Sequence, residues 1–207
     1  MSSPHERAAP APGVDGPALL ERAVGYTRGC LQLVAGTPLT APTPCARWDL
    51  LALLRHMDDS LSALTDAAEI GYVDLVPVEP LGVPGAGAPP VVERLRARAC
   101  ALLSAWAARC GDRDVTVSDR RLPSDLLASA GALEIAVHGW DVARACGADR
   151  PLPTGLAVDL LGVVPLLVGD ADRPARFAER VDVPAGAPAG ARLLAALGRR
   201  ASRRTMD

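Results

Sequence analysis

Glu134, His138 and Asp141 stand out in a stretch, Leu122 to Gly147, where nearly every other position is apolar or small: LPSDLLASAGALEIAVHGWDVARACG. The stretch reads as one helix, with Pro123, Ser124 and Asp125 as its start signal and Gly147, after Arg144 and Cys146, as its stop. At about 100° per residue the three polar side chains share one stripe. Leu126, Ala130, Leu133 and Val137 flank it on one side and Ile135 and Val142 on the other, so the stripe points into an interior or a cavity. An unpartnered carboxylate there is costly, and something must compensate it. A carboxylate and an imidazole at i and i+4 can close on one metal ion. The same two residues can also form a plain Glu–His hydrogen bond, or the imidazole can cap a carbonyl. Asp141, one turn beyond His138, either orients it as a hydrogen-bond acceptor or forms a salt bridge with Arg144 or Arg121.

A metal needs a third ligand from another element, and candidates are few. The chain has three histidines. His5 lies in a polar, proline-rich leader and is a poor candidate. His56 lies on a helix opened by Asp49 as N-cap and continuing through LLALLRHMDDSLSALTDAAE. It sits at the edge of the apolar stripe formed by Leu50, Leu53, Leu54, Met57, Leu61 and Leu64, beside the small residues Ala52, Ser60 and Ala63. The ordinary role for such a histidine is a satisfied boundary residue.

The elements that must position these residues are mostly helical. A first helix is expected from about Pro17 to Val34, followed by a loop marked by Gly36, Pro38, Pro42 and Pro44. Val73 to Pro90 is rich in Pro and Gly and reads as a long loop of the kind that borders active sites. A third helix spans Pro90 to Cys110, with Arg94, Arg96 and Arg98 as a solvated face from which one arginine could reach an anionic substrate. A charged connection with a strand-like VTV leads into the Glu134 helix. A fifth helix, Gly155 to Val168, is capped by Thr154 and kinked or ended early by Pro165. FAERVDVPAGAP then reads as extended with turns, and RLLAALGRR as a short helix. The fold expected is mostly α, an up-and-down four-helix bundle with a crossover, plus a short extended segment and a helix at the C-terminus.

With 207 residues the chain can bury a substantial single core. A net charge of -2, with no basic stripe interleaved with aromatics, argues against a nucleic-acid binder. All 22 basic residues are Arg, so a Schiff-base lysine is excluded. The five cysteines form no CxxC pair; their odd number and the lack of a signal peptide favour reduced thiols and a cytoplasmic protein. They read as structural, because none shares a helix face with the candidate ligands. The longest apolar region, Leu156 to Val168, is too short and too interrupted to span a bilayer, so no membrane partner is expected. Walker, GxGxxG and GxSxG motifs are absent.

Three segments, in order, carry a resemblance: TPCARWDLLALLRH at 43–56, LEIAVHGWDVARACG at 133–147 and VDVPAGAPAGARLLAALGR at 181–199. Together they resemble the DinB-like proteins related to mycothiol-dependent maleylpyruvate isomerase, over about residues 17–199. The resemblance implies a DinB-like bundle and a divalent metal, usually zinc, held by His56, Glu134 and His138. The chain is expected to divide into a disordered leader (1–16), the metal-bearing bundle (17–170) and a C-terminal extension packing on it (171–207). The resemblance also implies mycothiol, a low-molecular-weight thiol, as co-substrate. Two departures stand out. Met57-Asp58-Asp59 follows the first ligand where small or apolar residues are usual, so Asp58 and Asp59 either face solvent or recast the charge of the site. The longer C-terminal domain of the maleylpyruvate isomerases is lacking, so maleylpyruvate is not the expected substrate.

The function expected is a metal-dependent thiol S-transferase or isomerase acting on a small electrophile, as a monomer or homodimer. Two alternatives stay open: a thiol-independent metal-dependent tailoring enzyme of secondary metabolism (isomerase, cyclase or hydrolase), and a non-catalytic metal- or ligand-binding bundle. Trp140 is expected to pack in the core. The segments 36–47 and 73–90 are expected to border the pocket, with the C-terminal 181–199 segment as the alternative cover.

Overall fold

A computed structural model describes residues 15–45, 48–73, 88–109, 114–174 and 176–201. The leader (1–14) and most of the 73–90 loop (74–87) lie outside the described residues, so the expectations placed on them are not addressed. Four long helices form the bundle: α1 (Gly16–Leu31), α2 (Leu50–Ile70), α3 (Ala88–Ala108) and α4 (Ser124–Ala145). A fifth, α5 (Thr154–Leu167), and a short sixth, α6 (Ala189–Ala196), follow. No described helix is long and apolar enough to cross a membrane.

Local signals account for the helix ends. The Asp15 carboxylate accepts from the Ala18 amide at 3.0 Å, and Asp49 from that of Ala52 at 2.8 Å, each satisfying a donor that the first helical turn leaves free. Gly71 and Gly147 close α2 and α4 with φ of 72° and 75°, in the left-handed region that glycine adopts without steric cost. Three expected boundaries shift. The end of the first helix tightens into a 3₁₀ turn at Gln32–Val34. Thr154 is the first helical residue of α5, with Pro153 at the cap and no side-chain cap bond. The same helix runs two residues past Pro165, because a proline so near the end disturbs only its last turn.

Packing sets the bundle order. Helix α1 lies along α4 and α2 along α3; α2 also meets α4 and α1 meets α3, leaving the consecutive helices α1 and α2 on a diagonal. That is an up-and-down bundle with a crossover. The crossover is explicit in a small sheet: β1 (Tyr72–Val73) pairs in parallel with β2 (Val115–Val117), with α3 between them in sequence. β2 pairs antiparallel with β3 (Arg120–Leu122). VTV is thus a strand as expected, whereas β1 and β3 carry too few alternating residues to read beforehand. One core runs through all six helices, from Leu19 and Leu20 through Leu53, Leu102 and Ala136 to Leu160 and Leu193. Trp140 is part of it, at 3% exposure.

Asp58 does not face solvent. It is buried at the α2–α3 seam, where Arg94 and Arg98 reach it at 3.0 and 2.8 Å. Those two arginines therefore tie the seam to Asp58 while Arg94 stays exposed and Arg98 half-exposed, so the solvated face also clamps α3 to α2. The chain after α5 turns back over the bundle, and α6 packs on α5. Within it, FAERVDVPAGAP forms turns without strand pairing, tied to α6 by the Val181 amide donating to the Ala195 carbonyl at 2.9 Å.

Candidate metal centre

Helix α2 supplies His56, and α4 supplies Glu134 and His138, across the contact between those helices. His56 Nε2 stands 2.5 Å from Glu134 Oε1, and His138 Nε2 stands 3.3 Å from the same oxygen. One ligand atom from each residue falls within 4.8 Å of the others. The imidazoles meet edge to face, with ring centroids 5.1 Å apart. Trp48 leans over both, 4.5 Å from the His56 ring and 5.8 Å from that of His138. His138 is buried, while His56 and Glu134 are partly open to a cavity.

Behind His138 a second layer of contacts fixes the ring. Its Nδ1 donates to Asp141 Oδ2 at 3.0 Å, and Asp141 is fully buried. Arg199 completes that carboxylate: Nε lies 3.0 and 3.1 Å from its two oxygens and Nη2 lies 2.8 Å from Oδ2. The partner of Asp141 is therefore neither Arg144 nor Arg121. Arg144 lies over the Trp140 ring and pairs with Asp149 at 3.8 Å. Arg199 is aimed inward by Gly198, whose φ of 77° ends α6 and whose Cα packs so closely that a Cβ there would stand 2.6 Å from the Ala178 Cβ. Arg173 braces the same turn, donating to the Ala178 and Ala196 carbonyls.

The electrostatics follow from these contacts. Burial by itself would raise the Glu134 carboxyl, but hydrogen bonds from His138 and His56 outweigh it and hold the group well below the usual carboxylate range. Burial would likewise lower His138; bonds to Asp141, Cys45 and Glu134 reverse that and raise it. For Asp141, too, burial is overcome, by the His138 bond and the Arg199 charge, and the carboxyl is held low. Two imidazoles thus converge on one anionic oxygen of a carboxylate that faces the cavity. The donor set, two ring nitrogens and a carboxylate, fits a divalent metal, and with Nδ1 of His138 engaged by Asp141 its Nε2 is left to face the ion.

Cys45 shares no helix face with the histidines yet is brought beside them. It belongs to the turn between α1 and α2, which is closed by the Pro42–Asp49 bridge and by Thr43 Oγ1 donating to the Trp48 carbonyl at 2.8 Å. Its Sγ lies 3.6 Å from Asp141 Oδ2 and 3.2 Å from Arg199 Nη2. Cys45, His138 and Asp141 also satisfy metal-ligand spacing, but the Arg199 guanidinium already serves as the cation of that group. The TPCARW segment had carried only the family resemblance; that Cys45 and Trp48 reach the site depends on how the turn folds back. Arg199 could not be assigned from spacing at all.

A cavity of about 670 Å³ opens beside the histidines. Its walls come from α4 (Leu133, Val137), the turn at Pro44 and Cys45, the segment from Leu167 to Glu179, and Leu197 to Arg199. Among the described residues the C-terminal part of the chain covers it, and of the two loops expected to border it the 36–47 segment contributes.

The chain matches the family model described as the mycothiol maleylpyruvate isomerase N-terminal domain over residues 20–143. It is similar to an uncharacterized protein of Mycobacterium tuberculosis, found in two strains, at 27% identity over 182 residues, covering 86% of this chain and 94% of the relative. No solved structure matches significantly. The matched family is DinB-like, metal-binding and associated with mycothiol-dependent isomerase activity. With more than half of its length matched, in a helical bundle of that type, this chain belongs to the mycothiol maleylpyruvate isomerase N-terminal domain family.

Proposed function

We propose that this protein is a metal-dependent enzyme that acts on a small electrophilic substrate by thiol S-transfer or isomerisation, with a mycothiol-type thiol as co-substrate. The observation that carries the reading is the convergence of His56 Nε2 and His138 Nε2 on one Glu134 oxygen at the wall of a 670 Å³ cavity. His56, Glu134 and His138 would hold the metal, and two imidazoles with one carboxylate suit Zn²⁺. Bound there, the ion would supply Lewis acidity and favour the thiolate form of a co-substrate near neutral pH.

The chain's own residues supply the rest. Asp141 accepts the Nδ1 proton of His138 and so sets the tautomer and the ring plane. Arg199 neutralises Asp141, so the buried carboxylate does not compete for a cation on its other side. Trp48 leans over both imidazoles and, with the apolar walls, offers a nonpolar surface beside the reacting groups.

Metal analysis of purified protein, combined with calorimetry of thiol binding, tests this. About one divalent ion per chain is expected, with thiol binding that disappears in His138→Ala. Full activity without metal, or unchanged metal content in that variant, would sink the reading. Turnover of the electrophile that is indifferent to added thiol would favour a thiol-independent isomerase, cyclase or hydrolase instead.

A further inference from the structure

The cavity beside the histidines is chemically lopsided. Besides the His56, Glu134 and His138 cluster and a few charged side chains, its wall is largely apolar, with Leu133, Val137, Leu167, Val168, Phe177 and Leu197. At about 670 Å³ it has room for a ligand well beyond a two- or three-carbon acid.

Charge decides what the far part of such a ligand can be. Two arginines line the cavity among the described residues: Arg199 is held by the buried Asp141 at 2.8 Å, and Arg176, largely exposed, faces Asp172 at 3.3 Å. Glu179, exposed on the same lining, adds negative charge. A second anionic group would shed hydration against the apolar wall, would meet only the exposed, well-hydrated Arg176 that Asp172 already shares, and would face Glu179 as well. An uncharged hydrocarbon or aryl body loses nothing comparable and gains by covering the apolar wall.

We propose that this cavity selects ligands with one polar head, seated at His56, Glu134 and His138, and an uncharged apolar body lying against Leu133, Val168 and Phe177, and that it discriminates against diacids. The proposal rests on the reading of the histidine cluster as the metal centre, because that places the head.

Calorimetry with three hydroxamates on the zinc-loaded full chain tests it. Octanohydroxamate and suberic monohydroxamate share head and length and differ in a terminal methyl against a carboxylate; acetohydroxamate is the head alone. Octanohydroxamate is expected to bind at least about tenfold tighter than either. Phe177→Ala, on the partly exposed cover, should weaken octanohydroxamate about threefold or more and leave acetohydroxamate unchanged. Equal or tighter binding of the carboxylate-tailed probe overturns the proposal, as does an octanohydroxamate affinity that ignores Phe177→Ala. If the methyl preference is the same with zinc, without it and in His138→Ala, the apolar selectivity stands and the metal reading fails.

Discussion

Arg199 and Asp141, 58 residues apart, form the ion pair on which the site is built: three N–H···O contacts of 2.8 to 3.1 Å close on a carboxylate with no solvent exposure. Asp141 in turn holds His138 Nδ1, so the C-terminal tail reaches the candidate metal ligand through a single intermediary. Breaking a buried pair on one side strands the other charge, which is costlier than never having had the pair. Asp141→Asn should destabilise the fold by about 3–5 kcal/mol. Its affinity for zinc should fall about 10–100-fold, as for loss of a hydrogen-bond partner behind a metal-binding histidine. Denaturant unfolding and metal titration of the same preparation check both; a full loss of stability with unchanged zinc affinity would make Asp141 structural only.

Glu134 behaves differently because it faces the cavity and is only partly buried. Glu134→Leu should abolish metal retention while the metal-free fold stays within about 1 kcal/mol of the metal-free parent. Metal content by elemental analysis and urea unfolding of stripped protein decide it. Retained metal with a loss of several kcal/mol would assign Glu134 to the core and not to the ion.

Gly198 joins backbone geometry to the site. Its φ of 77° is one that side chains disfavour, and a Cβ would also press on Ala178. Gly198→Ala should cost about 1–3 kcal/mol and, by displacing Arg199, weaken zinc binding as well. Gly16→Ala is the control at a distance: its Cβ would stand 2.9 Å from Asp125 Cα where α1 meets the start of α4. It should cost a similar amount and leave zinc affinity untouched. If both glycine variants lose zinc alike, the effect is general loosening of the bundle.

Tyr26 gives a pH test away from the metal ligands. Its hydroxyl donates to the Arg150 carbonyl at 2.7 Å, and burial raises the phenol well above its usual value. A folded pKa above the unfolded one, about 10, means that the folded protein keeps the proton longer. The stabilisation is complete below the unfolded pKa and is lost as pH rises through the folded one. Stability should therefore fall with pH above about 10, and Tyr26→Phe should flatten that fall. An unchanged slope in the variant, by unfolding curves across alkaline pH, would remove Tyr26 from the account.

Much of this protein is written in its periodicity. The helix period placed Glu134, His138 and Asp141 on one inward stripe, Asp49 marked the start of α2, and three histidines left His56 as the partner that the family resemblance named. These features are local: a cap and a helical face depend on residues within a few positions of one another. What compensates a buried charge is not local. Asp58 found Arg94 and Arg98 across a helix seam, and Asp141 found Arg199 from the far end of the chain rather than the nearby Arg144. Cys45 and Trp48 came to the site because the turn before α2 folds back on itself. The pattern of apolar residues decides which side chains face inward, whereas the identity of the neighbour met there depends on how separate elements pack, and that only the tertiary structure settles.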